Sequence, residues 1–185
     1  MSQPVLIERE ALKEHSQGSE LTIETGTGGS TSYLQGKRVY SIDIDPEYQI
    51  NRYGYSPTAK YVKGWSCTWD DLIKPGDKDY IESKYYSLNK ENWLSLGAWS
   101  VFEDNKDLSF DFFFCDTGEY CGLAEWNIVK DKISIGGKFA AHDILWPKSI
   151  KSFKVLEKIE ASSNWKVLVK HTNSDQGLFV AEKIS

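Results

Sequence analysis

The sequence predicts an α/β fold: a mostly parallel sheet of seven strands, covered by helices on both faces and closed at one edge by an antiparallel hairpin. Three observations carry this expectation. Apolar, β-branched runs alternate with helix-like segments along the chain, the pattern of a parallel sheet buried on both faces. The first run leads into a glycine-rich turn and then helix-like sequence, "IETGTGGSTSYLQ". The last two runs are separated only by Thr172 to Gln176. A parallel partner would need a crossover of about a dozen residues or more, so these two pair antiparallel.

The expected strands are ELTIE (20–24), RVYSID (38–43), KYVKG (60–64), FDFFFC (110–115), KFAAH (138–142), WKVLVKH (165–171) and GLFVAEK (177–183). Helices are expected near 5–15, 30–35, 46–53, 119–132 and 147–160. Asp45, followed by Pro46 and Glu47, reads as the N-cap of the third of these, with proline in the first turn. Residues 70–109 break the regular spacing, being polar, aperiodic and dotted with aromatics. They read as an insertion with some helix around 90–99, and Tyr80, Tyr85, Tyr86, Trp93 and Trp99 are suited to cover an apolar ligand. With 185 residues the chain suits one domain, residues 1–185, with a full core.

Twenty-two basic and 27 acidic side chains give a net charge of −5 with no block of like charges, which argues against nucleic acid or an acidic membrane surface as a partner. The first residues lack the basic flank and apolar stretch of a signal peptide, and no segment approaches a membrane span in length. The expectation is a soluble, cytoplasmic protein; a homo-oligomer is compatible with the sequence, which fixes no copy number. Cys67, Cys115 and Cys121 are odd in number and form no CxxC pair, so they read as free thiols.

A strand ending at Glu24, then Gly26, Gly28 and Gly29, then a helix, would put bare backbone N–H groups at the carboxyl edge of the sheet. Ser30 or Thr31 would cap that helix while offering a hydroxyl to a ligand. The next strand ends in acidic residues about twenty positions after Glu24, where a ribose-binding carboxylate is expected. With Asp45 assigned to the helix cap, Asp43 is the candidate to accept hydrogen bonds from two ribose hydroxyls. A tight turn and a solvated strand end are the plain alternatives.

The succession "IETGTGGST", "VYSIDIDPE", "YVKG" and "FDFFFCDTGEYCGLAEWNIVKDKISIGGKFAAHDI" resembles the ordered motifs of class I S-adenosylmethionine-dependent methyltransferases. It is most similar to the group whose fourth strand ends in an Asp-Gly-Asp-His-like sequence and whose fifth follows a Leu-x-x-Gly-Gly motif and ends in His-Asp. The resemblance runs from about Glu20 to Lys183, leaving out 70–109. It implies a Rossmann-like sheet ending in one antiparallel strand, and S-adenosylmethionine as cofactor. Glu24, Gly26, Thr27 and Gly28 would hold the amino acid part and Asp43 the ribose. Gly64 and Trp65 stand where the family contacts adenine, with Trp65 in place of a frequent acidic residue. "CDTGEYCG" is one residue shorter than the usual fourth-strand signature, with Glu119 near the position of a frequent histidine, and the segment before the first strand is short for the family's helical cap.

Asp116 ends the fourth expected strand, and His142 and Asp143 end the fifth. Neighbouring strands lie about 5 Å apart, so these side chains can converge beside the cofactor. In the resembled metal-dependent O-methyltransferases of the catechol type, ligands come from these same two strand ends, and oxygen-rich ligands with one histidine suit Mg2+. The alternatives are His142 as a lone general base, Asp143 as a helix cap, and Asp116 as a cofactor-side or solvated strand end. The leading expectation is a methyltransferase acting on a hydroxyl, or in second place an amine, of a small molecule. An NAD(P)-dependent oxidoreductase is second, disfavoured by the closing hairpin and by Thr31 at the third fingerprint glycine. A non-catalytic binding module on the same fold is third.

Overall fold

The computed structural model describes residues 4–83, 87–91, 109–145 and 147–185. Seven strands form one sheet: β1 (Leu21–Thr25), β2 (Arg38–Asp43), β3 (Ala59–Lys63), β4 (Phe110–Cys115), β5 (Ile133–His142), β6 (Trp165–His171) and β7 (Leu178–Lys183). Their spatial order is β3-β2-β1-β4-β5-β7-β6. Strands β3, β2, β1, β4 and β5 pair in parallel, while β7 runs antiparallel to both β5 and β6. The short link after His171 thus produces the expected hairpin, and β7 inserts between β5 and β6. Parallel strands carry their chain outward at one edge, so the ends of β1, β2, β4 and β5 share a rim.

Among the described residues four α-helices flank the sheet: α1 (Leu6–Ser16), α2 (Pro46–Tyr53), α3 (Gly122–Val129) and α4 (Phe153–Glu160). Ala11 and Leu12 of α1 pack with Phe112, Phe114, Ala140 and Val180 on one face. On the other, Leu123, Trp126 and Val129 of α3 and Val155, Leu156 and Ile159 of α4 pack with Phe113, Phe139 and Phe179. The run FDFFFC divides between faces with the period of two that strands impose. A register irregularity between Phe110 and Phe112 puts Phe110 on the Phe113 side, and Asp111 accepts hydrogen bonds from the N–H groups of Glu20 and Leu21. Asp45 caps α2 as expected, accepting from the Tyr48 N–H at 3.3 Å, with Pro46 at the helix start. Among the described residues no helix is long and apolar enough to cross a membrane.

Three sequence expectations are corrected. The strand expected at 138–142 begins at Ile133 and runs through Gly136 and Gly137. Gly136 has φ +81°, so these glycines accommodate an irregular strand and do not end one. The helix expected at 30–35 is a single 3-10 turn, Thr31–Tyr33, because its polar residues are engaged elsewhere. Asp143 caps no helix: it sits at φ +62°, and α4 starts ten residues later with Ser152 at its N-cap. Of the expected insertion at 70–109, Tyr85, Tyr86, Trp93 and Trp99 lie outside the described residues, as does all of the expected helix over 90–99 except Lys90 and Glu91. In the part that is described, Leu72 is buried against Cys121 and Ala124, and Tyr80 stacks on Tyr120 with ring centroids 5.9 Å apart.

Candidate functional site

At the rim formed by the ends of β1, β2, β3 and β4 lies a cleft of about 160 Å3. Its walls include Gly26, Asp43, Gly64, Trp65 and Asp116, five of the residues expected at the cofactor from the sequence. Gly26 has φ +84°, and a Cβ there would stand 2.1 Å from the Asp116 carbonyl oxygen. Only glycine permits this crossing of the β1 and β4 ends. Asp43, half-buried, accepts from the Asp45 N–H at 2.8 Å, and burial raises its pKa. The lining suits a nucleoside: a carboxylate to accept from hydroxyls, an indole, and backbone at Gly26, Gly64 and Gly118 that a ligand can approach closely.

Glu24, Thr27, Gly28 and Ser30 do not line the cleft; their polar groups meet behind it. The fully buried Glu24 carboxylate accepts from Ser30 Oγ (2.8 Å), Thr31 Oγ1 (2.6 Å) and Ser41 Oγ (2.6 Å). Thr27 Oγ1 lies 2.7 Å from Ser41 Oγ, and the Gly28 N–H donates to Thr31 Oγ1. These hydroxyls hold a buried carboxylate, so neither Ser30 nor Thr31 caps a helix by its side chain. Burial pushes Glu24 up to about 7 against the pull of the three hydroxyls. Its proton is retained in the fold above the ordinary carboxyl value of 4.5, so the native state gains no benefit from ionising it and stability falls as pH rises from 4.5 to about 7. Glu24→Gln is expected to flatten this part of the stability profile, measured by urea unfolding across the same pH range. An unchanged slope would contradict the assignment.

Asp116, His142 and Asp143 converge as the sequence suggests, with ligand-type atoms within 4.8 Å of one another. Only Asp116 reaches the cleft; His142 and Asp143 are each 2% exposed. His142 Nδ1 lies 3.4 Å from Asp116 Oδ1 and 3.3 Å from Asp143 Oδ1, and its Nε2 lies 3.6 Å from Glu8 Oε2 on α1. Burial opposes the imidazolium, but Asp116, Glu8 and Asp143 outweigh it and lift His142 to about 9. The neighbouring carboxylates thus favour the protonated ring, which works against a general-base role.

Three buried charged groups were not evident from the sequence. The Lys151 ammonium lies 2.6 Å from Asp116 Oδ1 and 2.5 Å from Asp143 Oδ2. Burial disfavours its charge, yet the two carboxylates more than compensate and raise its pKa. Glu8 accepts from the Val5 N–H and from Ser174 Oγ. Glu125, on α3, accepts from Thr25 Oγ1 at 2.7 Å and from Ser66 Oγ, and burial raises its pKa. Lys151 stands in a run with Lys148 and Lys154 that reads as a polar stripe. Glu125 had a usable signal, a lone acid inside the apolar "GLAEW", which must be paired once that helix is buried.

The Asp116–His142–Asp143 group does not fit a divalent metal. A cation, the Lys151 ammonium, already bridges its two carboxylates, and the imidazole would have to surrender a proton that its neighbours stabilise.

Compared by sequence, the chain matches no protein-family model and no curated protein. Compared by structure, it is similar to an O-methyltransferase from Bacillus cereus in complex with SAH, at 15% identity and TM-score 0.60 over 98% of this chain and 83% of that one. It is also similar to the O-methyltransferase TomG from Streptomyces achromogenes, involved in tomaymycin synthesis and in complex with SAM, at 12% identity and TM-score 0.56 over 97% and 78%. A third is an rRNA methylase from Streptococcus thermophilus, at 13% identity and TM-score 0.55 over 100% and 99%. The chain has the Rossmann-like fold of class I S-adenosylmethionine-dependent methyltransferases. At these identities the likeness is one of fold, and the rest follows from the residues of this chain.

Proposed function

We propose that this protein is an S-adenosylmethionine-dependent methyltransferase acting on a hydroxyl, or in second place an amine, of a small molecule. The observation that supports this best is the cleft, where Gly26, Asp43, Gly64, Trp65 and Asp116 meet from the ends of β1, β2, β3 and β4. When bound, S-adenosylmethionine supplies a methyl group already activated on a sulfonium, so the protein has mainly to align the acceptor. Asp43 would take the ribose hydroxyls and Trp65 would flank the adenine. Glu24 and its hydroxyls hold the shape of the loop that carries Gly26, Thr27, Gly28 and Ser30. Asp116, kept ionised by Lys151 and His142 against the effect of burial, presents a carboxylate that orients the acceptor hydroxyl and receives its hydrogen bond. His142 and Asp143 act through Asp116. The net charge of −5 favours a small acceptor over an rRNA, whose phosphates would need a basic face.

S-adenosylhomocysteine should raise the melting temperature, and NAD and NADP should not. Asp43→Ala should weaken S-adenosylhomocysteine by about 2 kcal/mol, roughly thirtyfold, through lost hydrogen bonds to a charged group. Stabilisation by NAD with no response to S-adenosylhomocysteine would favour the oxidoreductase reading.

A further inference from the structure

We infer that the Lys151 ammonium is a built-in cation standing in for a divalent metal between Asp116 and Asp143, and that it positions the Asp116 carboxylate at the cleft. This rests on the proposed function only for what the cleft binds.

The geometry is that of a bridging ion. One nitrogen reaches oxygens of two carboxylates at 2.6 and 2.5 Å. A lysine is almost never fully buried unless paired, and Lys151 is 2% exposed. A dication added to the same carboxylates would face the ammonium at contact range, where little water screens the repulsion. The loop that carries the lysine is held in place at its backbone. A Cβ on Gly122, at the start of α3, would stand 2.3 Å from the Lys151 carbonyl oxygen, so helix and loop pack backbone to backbone there. The Lys151 N–H donates to Ser149 Oγ at 3.3 Å. Glu119 in turn accepts from Ser149 Oγ at 2.8 Å and from the Ile150 N–H at 3.0 Å. On the far side, the Ser152 N–H donates to the Asp143 carbonyl at 3.3 Å. Glu119, which departs from the resembled family at this position, thus anchors the loop that delivers the cation.

The consequence for chemistry is that Asp116 is ionised and fixed without any metal, and that the acceptor needs no group able to ligate one. Lys151 acts through Asp116 and is a positioning residue.

The test is Mn2+ binding, followed by electron paramagnetic resonance and by thermal shift, in wild type, Lys151→Arg and Lys151→Ala. Wild type and Lys151→Arg should show no Mn2+ binding that depends on Asp143, and no Mn2+-dependent rise in melting temperature. Lys151→Ala should gain a bound Mn2+ and a rise in melting temperature on its addition, both lost again when Asp143→Asn is combined with it. If Lys151→Ala does not fold alone, refolding in millimolar Mn2+ should restore it. Wild type that binds Mn2+ and loses it on Asp143→Asn would overturn the inference. So would a Lys151→Ala variant that neither binds nor is rescued by Mn2+, since Lys151 would then be a structural ion pair with no metal's seat to fill. None of these readouts uses S-adenosylhomocysteine, so failure here is separable from failure of the proposed function.

Discussion

Gly26→Ala is expected to lower the stability by about 4 kcal/mol or more, a fall in melting temperature of roughly 10 °C for a chain of this size. Two causes add. The positive φ of +84° costs an alanine about 1–2 kcal/mol. The larger cause is steric: the new Cβ would lie 2.1 Å from the Asp116 carbonyl oxygen and 2.5 Å from its carbonyl carbon. Both are backbone atoms at the end of a central strand, so relief requires β1 and β4 to part at the rim. Gly18→Ala is the control, since Gly18 has the same φ of +84° and an added Cβ there would meet nothing within 4 Å; it should show the backbone cost alone. Thermal unfolding of both variants checks the difference. Equal losses would mean that the crossing at Gly26 is looser than described.

Lys151→Met is expected to cost about 3–5 kcal/mol near neutral pH, the penalty for leaving buried carboxylates without their partner. Its pH dependence gives the sign. In wild type, Lys151 and His142 hold Asp116 below its ordinary value of 3.8 despite burial, so this carboxylate stabilises the fold above that pH, and the contribution is lost as pH falls through the folded value. Without the ammonium, Asp116, and Asp143, whose pKa burial already raises, take up protons at higher pH. The gap between wild type and variant should therefore narrow as the solution is acidified. His142 behaves oppositely: its raised pKa stabilises the fold fully below 6.5, and that contribution disappears as pH rises through about 9. Urea unfolding of both proteins from acid to alkaline pH checks this, and a gap independent of pH would contradict the pairing.

The sheet is legible in the sequence because its information is local. The period of two in FDFFFC and the shortness of Thr172–Gln176 each determine a structural feature without reference to distant residues. Asp45–Pro46 marks the α2 start for the same reason. Gly136–Gly137 misleads because glycine punctuates turns far more often than it is carried inside a strand. The 3-10 turn at Thr31–Tyr33 reads as a longer helix because serine and threonine after glycines look like a helix cap. Here they are drawn to Glu24, six and seven residues back. Asp43, Gly64 and Trp65 can be placed at a rim because strand ends define it. The charged network behind Asp116 cannot: Lys151 lies 35 residues from Asp116, and Glu8 is brought to His142 by a helix on the opposite flank of the chain. Which buried acid meets which base is decided by packing, and a charge in a polar stripe gives no local sign of it.

The cleft at the ends of β1, β2, β3 and β4 is proposed as a nucleoside site for S-adenosylmethionine, and the rest of the functional reading depends on it. The most direct measurement is a crystal structure of the protein with S-adenosylhomocysteine. Density is expected in the cleft with the ribose hydroxyls on the Asp43 carboxylate, the adenine beside Trp65 and the sulfur toward Asp116. Density for the ligand at another place on the chain, or a cleft that stays empty at saturating ligand, would contradict it.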